Sequence, residues 1–151
     1  MPDAENLILV VDDNDDDRTL IARTFQRAGI QNRLRLVNSG IDAIGYLKGD
    51  PPYQDRTENP LPTVVMLDIK MPGVDGFEVL RWIRQQWQLK RMCVVMLTSS
   101  DEIRDVNQAY QLGANSFLVK PLDFVNATEL VRSLDRMVER TRPPGFAAVA
   151  F

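Results

Sequence analysis

Thr63-Val64-Val65-Met66-Leu67-Asp68-Ile69-Lys70-Met71-Pro72-Gly73 is the stretch on which the fold turns. An unbroken apolar run, Val64 to Leu67, leads into a lone aspartate, and a Pro-Gly turn follows. Continuous apolarity marks a strand covered on both faces, as in a parallel sheet under helices. Asp68 then stands where the strand ends. In open α/β sheets, sites form outside the carboxyl ends of the strands. Function therefore depends on which other polar groups reach that edge.

Upstream, Leu7-Ile8-Leu9-Val10-Val11 is a second apolar run, closed by Asp12-Asp13 and followed by Asp15, Asp16 and Asp17. Leu20, Ile21, Thr24, Phe25 and Ala28 then recur at helical spacing up to Gly29. The acidity has a local cause as well, since carboxylates favour helix starts and any of Asn14 to Asp17 suits the cap. Arg33-Leu34-Arg35-Leu36-Val37 alternates as an edge strand does. Ser39 suits the cap of a second helix with Ala43, Ile44 and Leu47 inward and Gly49 as its stop. Residues 50–62 hold four prolines and read as a long surface loop.

Downstream, Asp75 caps a third helix with Phe77, Leu80, Ile83 and Trp87 at core spacing. Cys93 to Leu97 is a fourth apolar run ending at Thr98. Ile103, Val106, Ala109 and Tyr110 give a fourth helix that stops near Gly113. Ser116 to Val119 is a fifth strand ending at Lys120-Pro121, and a fifth helix runs from about Asp123 with Leu130, Leu134 and Met137 inward. Strands alternating with helices in this way specify a doubly wound α/β fold, a parallel sheet with helices on both faces. One domain is expected over 1–142, with 143–151 a tail too short to form a second.

Composition narrows the chemistry. The chain has 151 residues, a net charge of −3, one cysteine and no histidine. That charge gives no general attraction to nucleic acid or anionic lipid. No window is apolar enough to span a membrane, and the acidic N-terminus is unlike a signal peptide, so a cytoplasmic location is expected. A lone Cys93 forms no internal disulfide and reads as inert core. Soft-metal sites lack ligands, so any metal here is a hard ion held by oxygens.

Asp12-Asp13, Asp68, Thr98 and Lys120 each follow a different strand, and neighbouring strands lie only ~5 Å apart. Taken singly, the acids are ordinary turn or cap residues, Thr98 a cap, and Lys120 a solvated surface lysine. Taken together they put carboxylates, a hydroxyl and an ammonium on one sheet edge. Carboxylates so close repel one another and stay ionised if a divalent cation lies among them. Few oxygen ligands and an open cleft favour Mg2+ that keeps waters and meets a phosphate. The lysine and hydroxyl suit a phosphoryl group in transfer, and a carboxylate can serve as its nucleophile.

From Leu7 to about Arg140 the chain resembles a response-regulator receiver domain of the CheY-like type. The resemblance rests on Val11-Asp12-Asp13-Asn14, Leu67-Asp68-Ile69-Lys70-Met71-Pro72-Gly73-Val74-Asp75-Gly76, Leu97-Thr98-Ser99 and Gly113-Ala114-Asn115-Ser116-Phe117-Leu118-Val119-Lys120-Pro121. It implies a flavodoxin-like (βα)5 sheet of strand order 2-1-3-4-5. It implies that Asp68 accepts a phosphoryl group from a sensor histidine kinase. Mg2+ would be held by Asp12, Asp13, Asp68 and the backbone carbonyl of Lys70. Thr98 and Lys120 would contact the phosphoryl oxygens, a cis bond would precede Pro121, and Thr98 with Phe117 would form the switch. Family positions that tune hydrolysis fall on Lys70 and Ser100, where a long side chain and the lack of an acid or amide favour a lasting phosphorylated state.

No effector is legible after the fifth helix, so the expected output is a protein–protein surface formed by helix four, strand five and helix five. The proline-rich loop and single-domain layout resemble regulators associated with bacterial phytochrome kinases. That implies a phytochrome-type kinase partner and a homodimer through the same face, with the apolar tail, Phe146 to Phe151, expected to pack across it. The chain is thus expected to be a regulator, not an enzyme in its own right. A haloacid-dehalogenase-like phosphatase also uses an aspartyl-phosphate, but wants an acid two residues after the nucleophile, where Lys70 stands. A flavodoxin-like cofactor protein wants a phosphate-cradling loop where Asp12-Asp13 would repel phosphate. A scaffold-only pseudo-receiver would have lost the acids or Lys120.

Overall fold

The structure is a computed structural model that describes residues 7–99 and 103–141, with backbone only at 103 and 134–141. The chain alternates β1 (Ile8–Val11), α1 (Asp15–Arg27), β2 (Leu34–Val37), α2 (Gly40–Lys48), β3 (Val64–Asp68), α3 (Gly76–Gln85), β4 (Cys93–Thr98), α4 (Ile103–Gln111), β5 (Ser116–Val119) and α5 (Phe124–Thr141). The strands form one sheet in the order β2-β1-β3-β4-β5, every pair parallel. This is the expected order. The 143–151 tail and Ser100 lie outside the described residues.

Side chains of a strand point alternately to its two faces, so an apolar run must feed two cores. Leu9, Val11, Val65, Leu67, Val94 and Met96 pack with α2, α3 and α4 on one side. Ile8, Val10, Val64, Met66, Val95 and Leu97 pack with α1 and α5 on the other. β1, β3 and β4 are buried along their whole length, which is why their sequences carry no alternation. The edge strands β2 and β5 are half-covered and more polar.

Three helix starts are capped as the sequence suggests. Asn14, Ser39 and Asp75 accept from the backbone N–H of Asp17, Asp42 and Glu78 at 2.9, 3.0 and 2.9 Å. The 50–62 loop is tied down rather than free-standing. The Arg56 guanidinium donates to the carbonyls of Tyr46 and Leu47, both at 2.8 Å, and so ties the loop to the last turn of α2. Tyr46, fully buried, donates its hydroxyl to Pro60 O at 2.7 Å. The Tyr53 ring lies 4.9 Å from that of Tyr46, and its hydroxyl reaches Asp42 at 3.1 Å. The Pro51-Pro52 and Lys120-Pro121 bonds are cis, the second as the resemblance implied.

Several side chains depart from the expected inner stripes. Trp87 is 78% exposed because α3 stops at Gln85, before the periodic position is reached; Val79 fills the core instead. Tyr110 is 48% exposed and stands edge-on to Phe117, their ring centroids 6.2 Å apart. Leu20 is also exposed, and Ile44 is only half-covered while Tyr46 carries the buried face of α2. Phe77 and Trp82 pack half-buried against the first core. Ala127, not anticipated, is a fully buried residue by which α5 meets the second core. Leu130 packs on the second core as expected, whereas the side chains of Leu134 and Met137 lie outside the described residues.

One contact fixes the carboxyl edge of the sheet to α3. Gly76 opens that helix against the end of β3, donating its N–H to Ile69 O at 3.0 Å. A Cβ there would lie 2.2 Å from Asp68 O and 2.8 Å from Ile69 Cα. Alanine normally stabilises a helix relative to glycine, but here backbone would have to move. Gly76→Ala is expected to lose about 1–3 kcal/mol through overpacking, read as a lower urea midpoint at unchanged slope. A neutral or raised midpoint would contradict the contact.

Candidate functional site

Register brings the polar groups together. Val11 pairs with Leu67, Asp68 with Leu97, and Thr98 with Val119. The residues that follow or end these strands, Asp12, Asp68, Thr98 and Lys120, therefore share one edge of the sheet. Ladder bonds continue past the strand ends to hold them: Asp12 N–H to Val37 O at 3.1 Å, Ile69 N–H to Leu97 O at 2.9 Å, and Lys120 N–H to Thr98 O at 2.7 Å.

Asp12 is fully buried, Asp68 and Thr98 nearly so, and Asp13 is exposed. One carboxylate oxygen from each of Asp12, Asp13 and Asp68 lies within 4.8 Å of the others. That spacing suits oxygen ligands around one hard divalent cation. Lys70 stands outside the strand end with its side chain exposed, and its backbone N–H is 3.4 Å from Asp68 Oδ1. Its backbone thus borders the acidic cluster.

The ammonium of Lys120 is the hub. Its Nζ lies 2.9 Å from Asp12 Oδ2, 2.9 Å from Asp17 Oδ2 and 3.3 Å from Asp68 Oδ2. Burial alone would lower the lysine's pKa, yet the carboxylates of Asp17, Asp12 and Asp68 outweigh it and push the value up. Asp68 behaves in the opposite sense. Burial and the Asp12 charge raise its pKa from 3.8 to about 6, against the opposing pull of Lys120 and the Lys70 N–H. One lysine does not neutralise so many acids, and the deficit falls on Asp68.

Asp12 is held from several sides. Its Oδ1 accepts the Asn14 N–H at 2.9 Å, and its carbonyl accepts Arg18 Nη1 at 2.6 Å. The other guanidinium nitrogen of Arg18 pairs with Asp15. Neither Arg18 nor the pairing of Asp17 with Lys120 was legible in the sequence. Asp17 is one of three acids at the start of α1, and only the fold separates it from Asp15 and Asp16. Phe117 pairs with Met96, two residues before Thr98, so it sits on the same sheet face as Thr98 and packs half-buried on the first core. The sequence-predicted residues Asp12, Asp13, Asp68, Thr98 and Lys120 therefore meet at one edge, with Phe117 one step below.

Comparison with known proteins agrees with this geometry. Residues 8–132 match the response regulator receiver domain. Response regulator Rcp1 of Synechocystis is 31% identical over 129 residues, which cover 85% of this chain and 86% of that protein. The Mn(2+)-bound form of Rcp1 superimposes with a TM-score of 0.71 at 29% identity, covering 96% of this chain and 99% of that one. Response regulator RPA3017, described in red light signaling of R. palustris, gives a TM-score of 0.77 at 32% identity, covering 97% and 99%. The bacteriophytochrome response regulator RtBRR gives 0.76 at 35% identity, covering 96% and 81%. By this match along most of its length, the chain belongs to the response regulator receiver domain family.

Proposed function

We propose that Asp68 accepts a phosphoryl group from a phosphohistidine on a sensor kinase and that the modification switches a protein–protein surface. The observation that carries this reading is the placement of Asp68 beside two further carboxylates and within 3.3 Å of the Lys120 ammonium. A carboxylate oxygen of Asp68 attacks phosphorus, a P–O bond forms, the P–N bond breaks, and the leaving imidazole nitrogen keeps the electron pair. Lys120 is already at Asp68 and meets the added charge without a large movement. The Thr98 hydroxyl, on the neighbouring strand end, contacts a phosphoryl oxygen as well. The residues fit a hard cation: the donors are all oxygens, they converge, and the pKa of Asp68 is raised by burial and by the Asp12 charge, both of which a cation would offset. Mg2+ held by Asp12, Asp13 and Asp68, with the Lys70 carbonyl, would neutralise charge on the phosphoryl group.

Output passes through α4, β5 and α5. Thr98 and Phe117 lie beneath that face, which exposes Tyr110, Val119, Phe124 and Val125. The same face serves a homodimer in this reading, and no nucleic acid is bound, in keeping with a net charge of −3. Likeness to Rcp1, RPA3017 and RtBRR supports a phytochrome-type kinase as the phosphodonor. The protein acts in the cytoplasm, and among the described residues no helix is long and apolar enough to cross a membrane. It catalyses at most its own phosphorylation and dephosphorylation. The phosphatase alternative gains no support, because Lys70 occupies the place of the second acid it requires.

Incubation with phosphoramidate and Mg2+ should add one phosphoryl group, stable in acid and labile in base, and Asp68→Asn should abolish it. Normal labelling of that variant, or multiple turnover of a phosphoester, would overturn the reading. The electrostatics give a second test. A carboxyl whose folded pKa lies above its unfolded value favours folding while protonated. The contribution of Asp68 is thus complete at low pH and lost as pH rises through about 6. In metal-free protein, Asp68→Asn should raise Tm by a few degrees near pH 7.5 and change it little near pH 3.5, since the penalty sets in only as the unfolded carboxyl ionises above 3.8. An equal shift at both would show that Asp68 carries no such penalty. Lys70→Ala should speed decay of the phosphorylated state by opening Asp68 to water, measured as the half-life of the labelled protein; an unchanged half-life would remove the shielding role.

A further inference from the structure

We infer that Asp17 is a positioning residue for Lys120, holding its ammonium at the mouth of the acidic pocket where it meets a phosphoryl group on Asp68. The inference rests on the reading of Asp68 as phosphoacceptor and adds a residue that this reading leaves unused. An ammonium has three N–H donors. Lys120 faces three carboxylate oxygens, those of Asp12 and Asp17 at 2.9 Å each and that of Asp68 at 3.3 Å.

These acceptors are not equivalent. Asp12 and Asp68 also belong to the converging oxygens that suit a cation, and Asp17 does not. When Asp12 and Asp68 turn to other partners, Asp17 is the acceptor that stays. Its backbone is fixed for the purpose. The Asp17 N–H donates to Asn14 Oδ1 at 2.9 Å, and the adjacent Arg18 anchors the same helical turn to the carbonyl of Asp12 at 2.6 Å. The first turn of α1 is therefore registered against the end of β1, and Asp17 rides on it.

Lysine is a point charge on a flexible stem, so a neighbour must set its direction. Asp17 lies at the rim, its side chain 37% exposed, while Asp12 is fully buried. Drawn by both, the ammonium sits between pocket floor and rim. With Asp12 alone it would be drawn inward, away from a group attached to Asp68. A partly exposed pair of this kind adds little to stability, so its worth lies in direction. Only 12% of the Lys120 side chain is exposed, so water does not easily replace the lost acceptor.

The experiment compares phosphorylation of the full chain by phosphoramidate at saturating donor and Mg2+ in wild type, Asp17→Ala and Asp17→Asn, with the Mg2+ Kd of each measured by calorimetry. Asp17→Ala should slow the saturated rate about tenfold, as expected for one charge-assisted hydrogen bond, with the Mg2+ Kd unchanged. Asp17→Asn, which keeps an oxygen acceptor, should recover most of the rate. An unchanged or faster rate in Asp17→Ala, a matching loss of Mg2+ affinity, or an Asn variant as slow as the Ala variant would overturn the inference. If wild type takes up no phosphoryl group, the phosphoacceptor reading fails and the inference with it. If wild type is labelled and Asp17→Ala keeps pace, only the role of Asp17 falls.

Discussion

An excess of negative charge at the carboxyl edge of the sheet is the constraint on which the structure depends. Asp12, Asp17 and Asp68 gather around the ammonium of Lys120, and Asp13 brings a further carboxylate beside Asp12 and Asp68. Like charges at this distance and burial cost free energy that water does not offset. The raised pKa of Asp68 shows where the cost falls. The site is thus unbalanced in a direction that a divalent cation corrects.

Such an arrangement survives only on a scaffold that does not relax around it. The three central strands are buried on both faces and the ladder continues one residue beyond the ends of β1 and β3, so the backbones of Asp12 and Asp68 are displaced only if the sheet itself deforms. Gly76, pressed against the carbonyl of Asp68, closes the remaining side. The apolar cores supply the stabilisation and the edge uses some of it, the usual relation between a rigid interior and a strained functional rim.

What the sequence revealed and what it hid follow from the same physics. Asp12, Asp68, Thr98 and Lys120 were legible because each ends or follows a strand, and a parallel sheet turns order along the chain into position along an edge. The strand order required the family resemblance, since alternation of elements leaves the order open. Trp87 and Tyr110 misled because helical spacing continues to match after a helix has stopped, or where a helix faces a short edge strand. Tyr46 was missed because its burial depends on the Pro60 carbonyl and on Arg56, partners from a loop with no periodicity. Asp17 was hidden among chemically identical neighbours, and only the meeting of α1 with the end of β5 sets it apart.

β5 links charge to surface. It is a four-residue strand whose end leads directly into Lys120 and whose middle carries Phe117. Its ladder joins Lys120 N–H to the Thr98 carbonyl at 2.7 Å, so the backbones of these two residues are tied to one another. Phe117 meets the exposed ring of Tyr110 on α4 at 86°, an edge-to-face contact with one partner outside the core. A half-covered strand with an aromatic between core and solvent has room for a second arrangement, whereas β3, packed on both faces, does not. The division is therefore physical: the central strand β3 holds Asp68 between two covered faces, and the edge strand that carries Phe117 and leads into Lys120 is the less tightly packed.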